Sequence, residues 1–433
     1  MVVPGRDSGT PPNLAALLGQ VGQMRGSGPR RRGPFGCVGC LGILGVILVG
    51  TYSAFRFTPL PILVYVNPLP YFGQYSWVVH PGQTAVNAIA FSPDGRLVAS
   101  VGEEHTLDVW DASTGRTVST YRAAPNTIAA LVVWSPEGNA VAIGDSADAL
   151  IVVDAVSGQK RFNVPGFGSS GSIAWSPDGK RIATADQGTV RLWDGASGFS
   201  IRSFDAPTAD VVAWSPDGTY LAAAGQNGDL WVWSGSTPQP VLTIPHQTLF
   251  DFAESVRWSP DGKRFALAIS SQTDAHVSVY DVPAGTVTLT YRVDRTHSAS
   301  LVAAWAPDSR RLAIGGTTDG SATIWDAATG QKLRSYGGHG TVDILTRDYG
   351  STSHLTVVEV LSWSPRGTLM ATLGSDDSVQ VWNPDDGRPV YVYDTESGYT
   401  RSTPNGALTM AWSPDGTRIA VGGDRFAEIW KPR

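Results

Sequence analysis

Trp175-Ser176-Pro177-Asp178-Gly179 decides how this chain folds, because the same phrase returns along most of its length. It reads Phe91-Ser-Pro-Asp-Gly95, Trp134-Ser-Pro-Glu-Gly138, Trp214-Ser-Pro-Asp-Gly218 and Trp258-Ser-Pro-Asp-Gly262. Looser copies stand at Trp305-Ala-Pro-Asp-Ser309 and Trp363-Ser-Pro-Arg-Gly367, and a strict one at Trp412-Ser-Pro-Asp-Gly416. The steps between the eight aromatic residues are 43, 41, 39, 44, 47, 58 and 49 residues, so the chain is an array of one unit.

Each phrase is a turn. Proline fixes φ at the second turn position, aspartate tolerates the third, and glycine accepts a positive φ. Apolar, β-branched residues precede it, as in Ala209-Asp-Val-Val-Ala-Trp214, and small apolar ones follow, as in Arg181-Ile-Ala-Thr-Ala185. Both flanks read as strands. A third strand ends in an aromatic-acid pair: Trp110-Asp111, Trp193-Asp194 and Trp325-Asp326, loosened to Trp233-Ser234, Tyr280-Asp281 and Trp382-Asn383. A further turn and a more polar fourth strand, such as Lys332–Tyr336, complete an antiparallel unit. Thirteen of the fifteen tryptophans occupy these two positions. Rings of that size fill the wedge between neighbouring twisted sheets.

Four strands, a repeat of this length and Trp-Asp endings resemble the WD-repeat family of β-propellers. The resemblance covers about residues 74–433. It implies an all-β, eight-bladed WD-type propeller; a seven-bladed ring with a stray repeat is the alternative. The Gly-His pair that opens many family repeats is clear only at Gly338-His339, with lone His80 and His246 in similar places. The family's internal network of Asp, His, Ser/Thr and Trp is therefore expected to be incomplete in most blades. Ser-Pro-Asp-Gly also occurs in propellers of peptidases related to prolyl oligopeptidases; the Trp-Asp endings favour the WD family. The eighth unit ends at Trp430 without a fourth strand, and Gln74–Val79 has the alternation to supply it and latch the ring.

Composition agrees. Gly (49) and Pro (29) suit many short strands joined by turns and would penalise a helical fold. The net charge of −6 argues against a nucleic-acid partner, since the one cluster of basic residues, Arg30–Arg32, lies outside the repeats.

Residues 33–55 contain no charged residue over 23 positions, enough for a transmembrane helix of about 30 Å. Arg25 and Arg30–Arg32 precede it and Arg56 alone follows closely, so the positive-inside rule predicts a cytoplasmic amino terminus and an extracytoplasmic propeller. A cleaved signal peptide is the competing reading, although Ala54 as a cleavage site would place Tyr52 at −3. Cys37 and Cys40 stand before the apolar run, against a lipoprotein, and their spacing alone makes no metal site. The expected organisation is a disordered tail at 1–32, the span at 33–55, a Pro-rich linker at 56–73 and the propeller at 74–433. Within the tail, Leu14, Leu17, Leu18, Val21 and Met24 have helical spacing behind Asn13.

No catalytic constellation emerges. There is no G-x-S-x-G elbow, no phosphate-binding Gly-Lys-Ser/Thr loop and no histidine pair at metal-ligand spacing. The aspartates belong mostly to turns, so no cofactor is expected and the chain reads as a non-enzyme. What varies is the loops entering each first strand, at about 337–357 and 394–408, with shorter ones at 246–254 and 293–299. These collect on blades five to eight. Arg347, Asp348, Tyr349 and His354, then Asp394, Glu396, Tyr399 and Arg401, are the candidate partner-binding residues, being polar and aromatic groups suited to a protein or peptide. The expectation is a non-catalytic scaffold on a single-pass anchor. The alternative is a propeller enzyme or small-molecule sensor using the central opening, as in some propeller lyases and lactonases.

Overall fold

In the computed structural model the described residues run from 77 to 431. Breaks fall at 81–85, 103–105, 124–128, 146–148, 166–171, 187, 226–227, 235–236, 246–251, 271–274, 283, 294–300, 317–319, 340, 347–349, 356, 377, 395–408 and 424–425. The expected tail, span and linker lie outside the described residues. Among the described residues no helix is long and apolar enough to cross a membrane.

The repeated turn builds itself from its own side chains. In the first copy the Gly95 amide donates to the Ser92 carbonyl at 2.8 Å and Gly95 takes φ +70°. The Ser92 hydroxyl donates to Asp94 Oδ1 at 2.6 Å and accepts from the Leu97 amide at 2.9 Å. Serine and aspartate thus satisfy the hairpin end without help from solvent. The turn after the third strand uses the paired acid: Asp111 Oδ1 accepts from the Ser113 and Thr114 amides and from both hydroxyls. In the sixth copy serine replaces the glycine and still adopts φ +57° at Ser309. That conformation costs about 1–2 kcal/mol for a residue with a Cβ. Ser309 offsets it across a blade boundary, its hydroxyl accepting from the Asp261 amide at 3.0 Å.

Eight four-stranded antiparallel sheets result, numbered here by their aromatic residues from Phe91 (blade 1) to Trp412 (blade 8). Blade 1 is Val86–Phe91, Leu97–Gly102, Thr106–Asp111 and Thr117–Arg122. Blade 8 takes only three strands from the end of the chain, Thr409–Trp412, Ile419–Gly423 and Phe426–Trp430. Its fourth is Trp77–His80, antiparallel to the last strand with Trp77 opposite Trp430 and His80 opposite Ala427. The predicted latch is present over Trp77–His80; residues 74–76 lie outside the described residues.

First strands touch the first strands of both neighbouring blades, all the way round from blade 8 back to blade 1, and so line the axis. The apolar interior divides in the same way, into eight clusters, each at one boundary between blades. At the boundary of blades 4 and 5, for instance, Leu230 and Val232 pack with Val256, Trp258 and Phe265. The third-strand indoles of Trp110, Trp233, Trp382 and Trp430 are fully buried, and the phrase indoles nearly so. They are packing residues, not exposed stacking platforms.

Candidate functional site

Two parts of the ring depart from the repeat. The first is the predicted insertion between blades 6 and 7. It is not simply a loop: Thr341–Thr346 and Gly350–Leu355 pair as an antiparallel hairpin that joins no blade. His354 sits in it opposite Val342. Asp394 ends the fourth strand of blade 7 opposite Ser378. Arg347, Asp348, Tyr349, Glu396, Tyr399 and Arg401 lie outside the described residues.

Immediately before that hairpin in the chain, the Gly-His pair proves structural. His339 is buried, with Nδ1 3.0 and 3.1 Å from the two Asp376 oxygens and Nε2 2.9 Å from Thr372 Oγ1. Ser378 and Gln380 close the network around the same ring. Burial works against ionisation of Asp376. The hydrogen bond and charge of His339, together with the Ser378 amide and hydroxyl, outweigh it and hold the carboxyl below its ordinary range. Even in this blade, which retains the Gly-His pair, the network stops short of the indole: the buried Trp382 Nε1 has no hydrogen-bond partner.

The second departure is at the opposite end of the first strands, where they run into the Ser-Pro turns. Phrase indoles stitch neighbouring first strands there: Trp258 Nε1 donates to the Ala213 carbonyl at 3.1 Å, Trp305 to Arg257 at 2.9 Å and Trp363 to Ala304 at 3.0 Å. Between blades 5, 6 and 7 this packing leaves a cavity of about 350 Å³ walled by these three indoles and rimmed by Pro260 and Pro307. Its charged group is Arg257, which sequence reading missed. The signal was available in the repeat itself: the residue before the phrase aromatic is Ala90, Val133, Ala174, Ala213, Arg257, Ala304, Ser362 and Ala411. Only blade 5 puts a charge there.

The repeats' acids are otherwise engaged. Asp94, Asp178 and Asp217 each accept from the serine of their own phrase first and a following amide, which lowers their carboxyls below the ordinary range. Asp154 is driven lower still by the Ser157 amide and Arg161. Among the described residues no group of three or more metal-ligating side chains converges.

Comparison with known proteins fits this geometry. The model of the WD domain, G-beta repeat, matches residues 74–111, 165–194, 198–234, 330–383 and 397–431. The chain is 25% identical to telomerase protein component 1 of Mus musculus over 392 residues, covering 81% of this chain and 14% of that protein. It is 24% identical to protein tipD of Dictyostelium discoideum over 322 residues, 72% of this chain and 49% of the relative. Against WD repeat-containing protein 1 of Gallus gallus it is 26% identical over 213 residues, 47% of this chain and 34% of the relative. The chain therefore spans less than half the length of each of these relatives. Among solved structures, the C-terminal WD40 domain of Sif2 superposes with a TM-score of 0.64 at 16% identity, covering 82% of this chain and 97% of that domain. The computationally designed Ika8 protein does so with a TM-score of 0.64 at 18% identity, covering 82% and 98%. At these identities the structures speak for the fold alone.

Proposed function

We propose that this chain, a WD-repeat β-propeller, is a non-catalytic protein-interaction scaffold held at a membrane. One observation carries the reading. The repeated acids, hydroxyls and indoles are bonded inside turns and between blades, whereas the long departures from the repeat gather between blades 5 and 8. A rigid ring that holds variable excursions on one sector suits recognition of a protein or peptide. WD-repeat proteins generally act as such scaffolds. The hairpin bearing His354 and the segment after Asp394 form the recognition surface, with Arg347, Asp348, Tyr349, Glu396, Tyr399 and Arg401 contributing side chains.

Residues 33–55 supply the anchor, with the amino terminus cytoplasmic and the ring outside; the uncharged run and the arginines before it support this. The test is proximity labelling from the full-length protein in its native cells. It is repeated after residues 341–355 and 395–408 are replaced by Gly/Ser linkers, which leaves His339 and Asp394 in place. Loss of specific partners with an unchanged thermal melt supports the surface; retention of every partner refutes it. Protease added to intact cells should cut the propeller, and complete protection would overturn the outside placement.

A further inference from the structure

Arg257 lies in the first strand of blade 5, Phe252–Trp258, where seven other repeats carry alanine, valine or serine. Its side chain reaches open space. That space is the cavity between the tryptophans, so the guanidinium is accessible, while the loss of part of its hydration pulls its pKa below the usual arginine value. The one hydrogen bond recorded for it is long and local, Nη1 to the Val256 carbonyl at 3.4 Å. Among the described residues no carboxylate pairs with it.

Compare the other arginines along the same edge of the ring. Arg264 donates to the carbonyls of Ser309 and Ala327 at 2.6 Å each and covers the Trp305 ring. Arg311 pairs with Asp308 at 2.7 Å and Asp385 at 2.8 Å and covers Trp363. Those two guanidiniums are used by the fold. Arg257 is not, and a cation partly removed from water without a counter-charge is unfavourable unless something completes it.

The surroundings say what that something is. The Nε1 donors of Trp258, Trp305 and Trp363 are committed to backbone carbonyls, so the rings offer apolar walls and no competing hydrogen bond. Ser362 adds a second polar residue to the lining. One guanidinium matches one negative charge in a planar, forked geometry. A phosphate carries nearly two charges and calls for further cations, whereas Arg257 is the one charged residue of this lining. A volume of about 350 Å³ is at the small end of ligand pockets and suits one side chain or chain end with its flanking peptide.

We propose that the cavity between blades 5, 6 and 7 is a carboxylate-recognition site, in which Arg257 anchors an acidic side chain or the terminal carboxylate of a partner peptide. The site is separate from the hairpin surface, at the other end of the first strands, so either assignment can fail without the other.

The experiment uses the full chain in detergent and ligand-observed saturation-transfer NMR, which reads weak binding. The probes are acetyl-Gly-Glu-Gly-amide, its glutamine counterpart, acetyl-Gly-Gly-Gly with a free carboxyl end, and inorganic phosphate. The glutamate peptide or the free-acid peptide, or both, should bind at least about tenfold more tightly than the glutamine peptide, the size of one charge-assisted hydrogen bond. Which of the two binds identifies side chain or chain end as the source. Arg257→Ala copies the residue used by most other repeats, so its melt should be unchanged while binding is lost. Arg257→Lys keeps the charge without the fork and should bind more weakly than the parent. Equal binding of glutamate and glutamine peptides, unchanged binding by Arg257→Ala, or a preference for phosphate would each overturn the proposal.

Discussion

Arg418, in the last repeat, donates a 2.6 Å hydrogen bond to the carbonyl of Gly95 in the first, 323 residues earlier. The same guanidinium reaches the Ala112 carbonyl at 3.3 Å and lies 5.5 Å above the Phe91 ring. The phrase aromatic of blade 1 is the only phenylalanine among the eight, so it has no indole to stitch blade 1 to blade 8. Arg418 bridges that boundary instead. Arg418→Ala should destabilise the ring by about 1.5–3 kcal/mol, as expected for a charged donor to partly buried carbonyls. Chemical denaturation measures it, and an effect under about 0.5 kcal/mol would place Arg418 among ordinary surface residues.

The strand that completes blade 8 makes a separate prediction. Removing everything before Val86 deletes Trp77–His80 and exposes the edge of Phe426–Trp430. An open edge frees both ends of the ring to separate. The truncated protein should lose its single cooperative unfolding transition and associate through the exposed strand. A sharp melt and a monomeric profile on gel filtration would show that the ring closes without its latch.

Two tryptophans provide a matched pair. Trp363 and Trp214 are both buried at phrase positions, and an arginine covers each ring, Arg311 at 4.8 Å and Arg181 at 4.6 Å. They differ at the indole nitrogen: Trp363 Nε1 bonds the Ala304 carbonyl, whereas Trp214 Nε1 is buried without a partner. Replacement by phenylalanine removes similar volume from both. Trp363→Phe should therefore cost about 1–3 kcal/mol more than Trp214→Phe, because one loses a bond and the other sheds an unsatisfied donor. Equal denaturation midpoints for the two variants would mean the indole stitches contribute nothing.

Most of the ring was legible because each repeat carries its instructions locally. Ser92, Pro93, Asp94 and Gly95 specify a turn by their own chemistry, and eight such turns count the blades. The latch was nearly legible. Alternation pointed to Gln74–Val79, but its register comes from pairing with Ala427–Trp430, which local pattern cannot fix. The hairpin 341–355 read as a loop because nothing in the repeat predicts strands there and no Asn-Gly or Asp-Gly marks its turn. Arg257 was harder still. Its meaning depends on three first strands, from residues 257, 305 and 363, meeting at one cavity that only the closed ring creates.

The His339–Asp376 pair makes stability depend on pH in a direction that can be worked out. The folded state holds the Asp376 carboxyl below its ordinary value of 3.8, so the unfolded chain takes up its proton first as pH falls. Stability from this group is therefore complete above about pH 4 and is lost as pH drops through the lower folded value. Asp94, Asp178, Asp217 and Asp415 shift the same way, so the acid limb of the whole protein sums several carboxylates. Asp376→Asn isolates one of them. Near pH 7 the variant should be less stable by about 2 kcal/mol, having exchanged a charge-assisted bond to His339 for a neutral one. As pH falls below 3.8 the unfolded parent takes up its proton ahead of the folded one, and the gap between the two melting temperatures should narrow. A gap that stays constant from neutral to acid would show that the ionised form of Asp376 contributes nothing to holding blade 7 together.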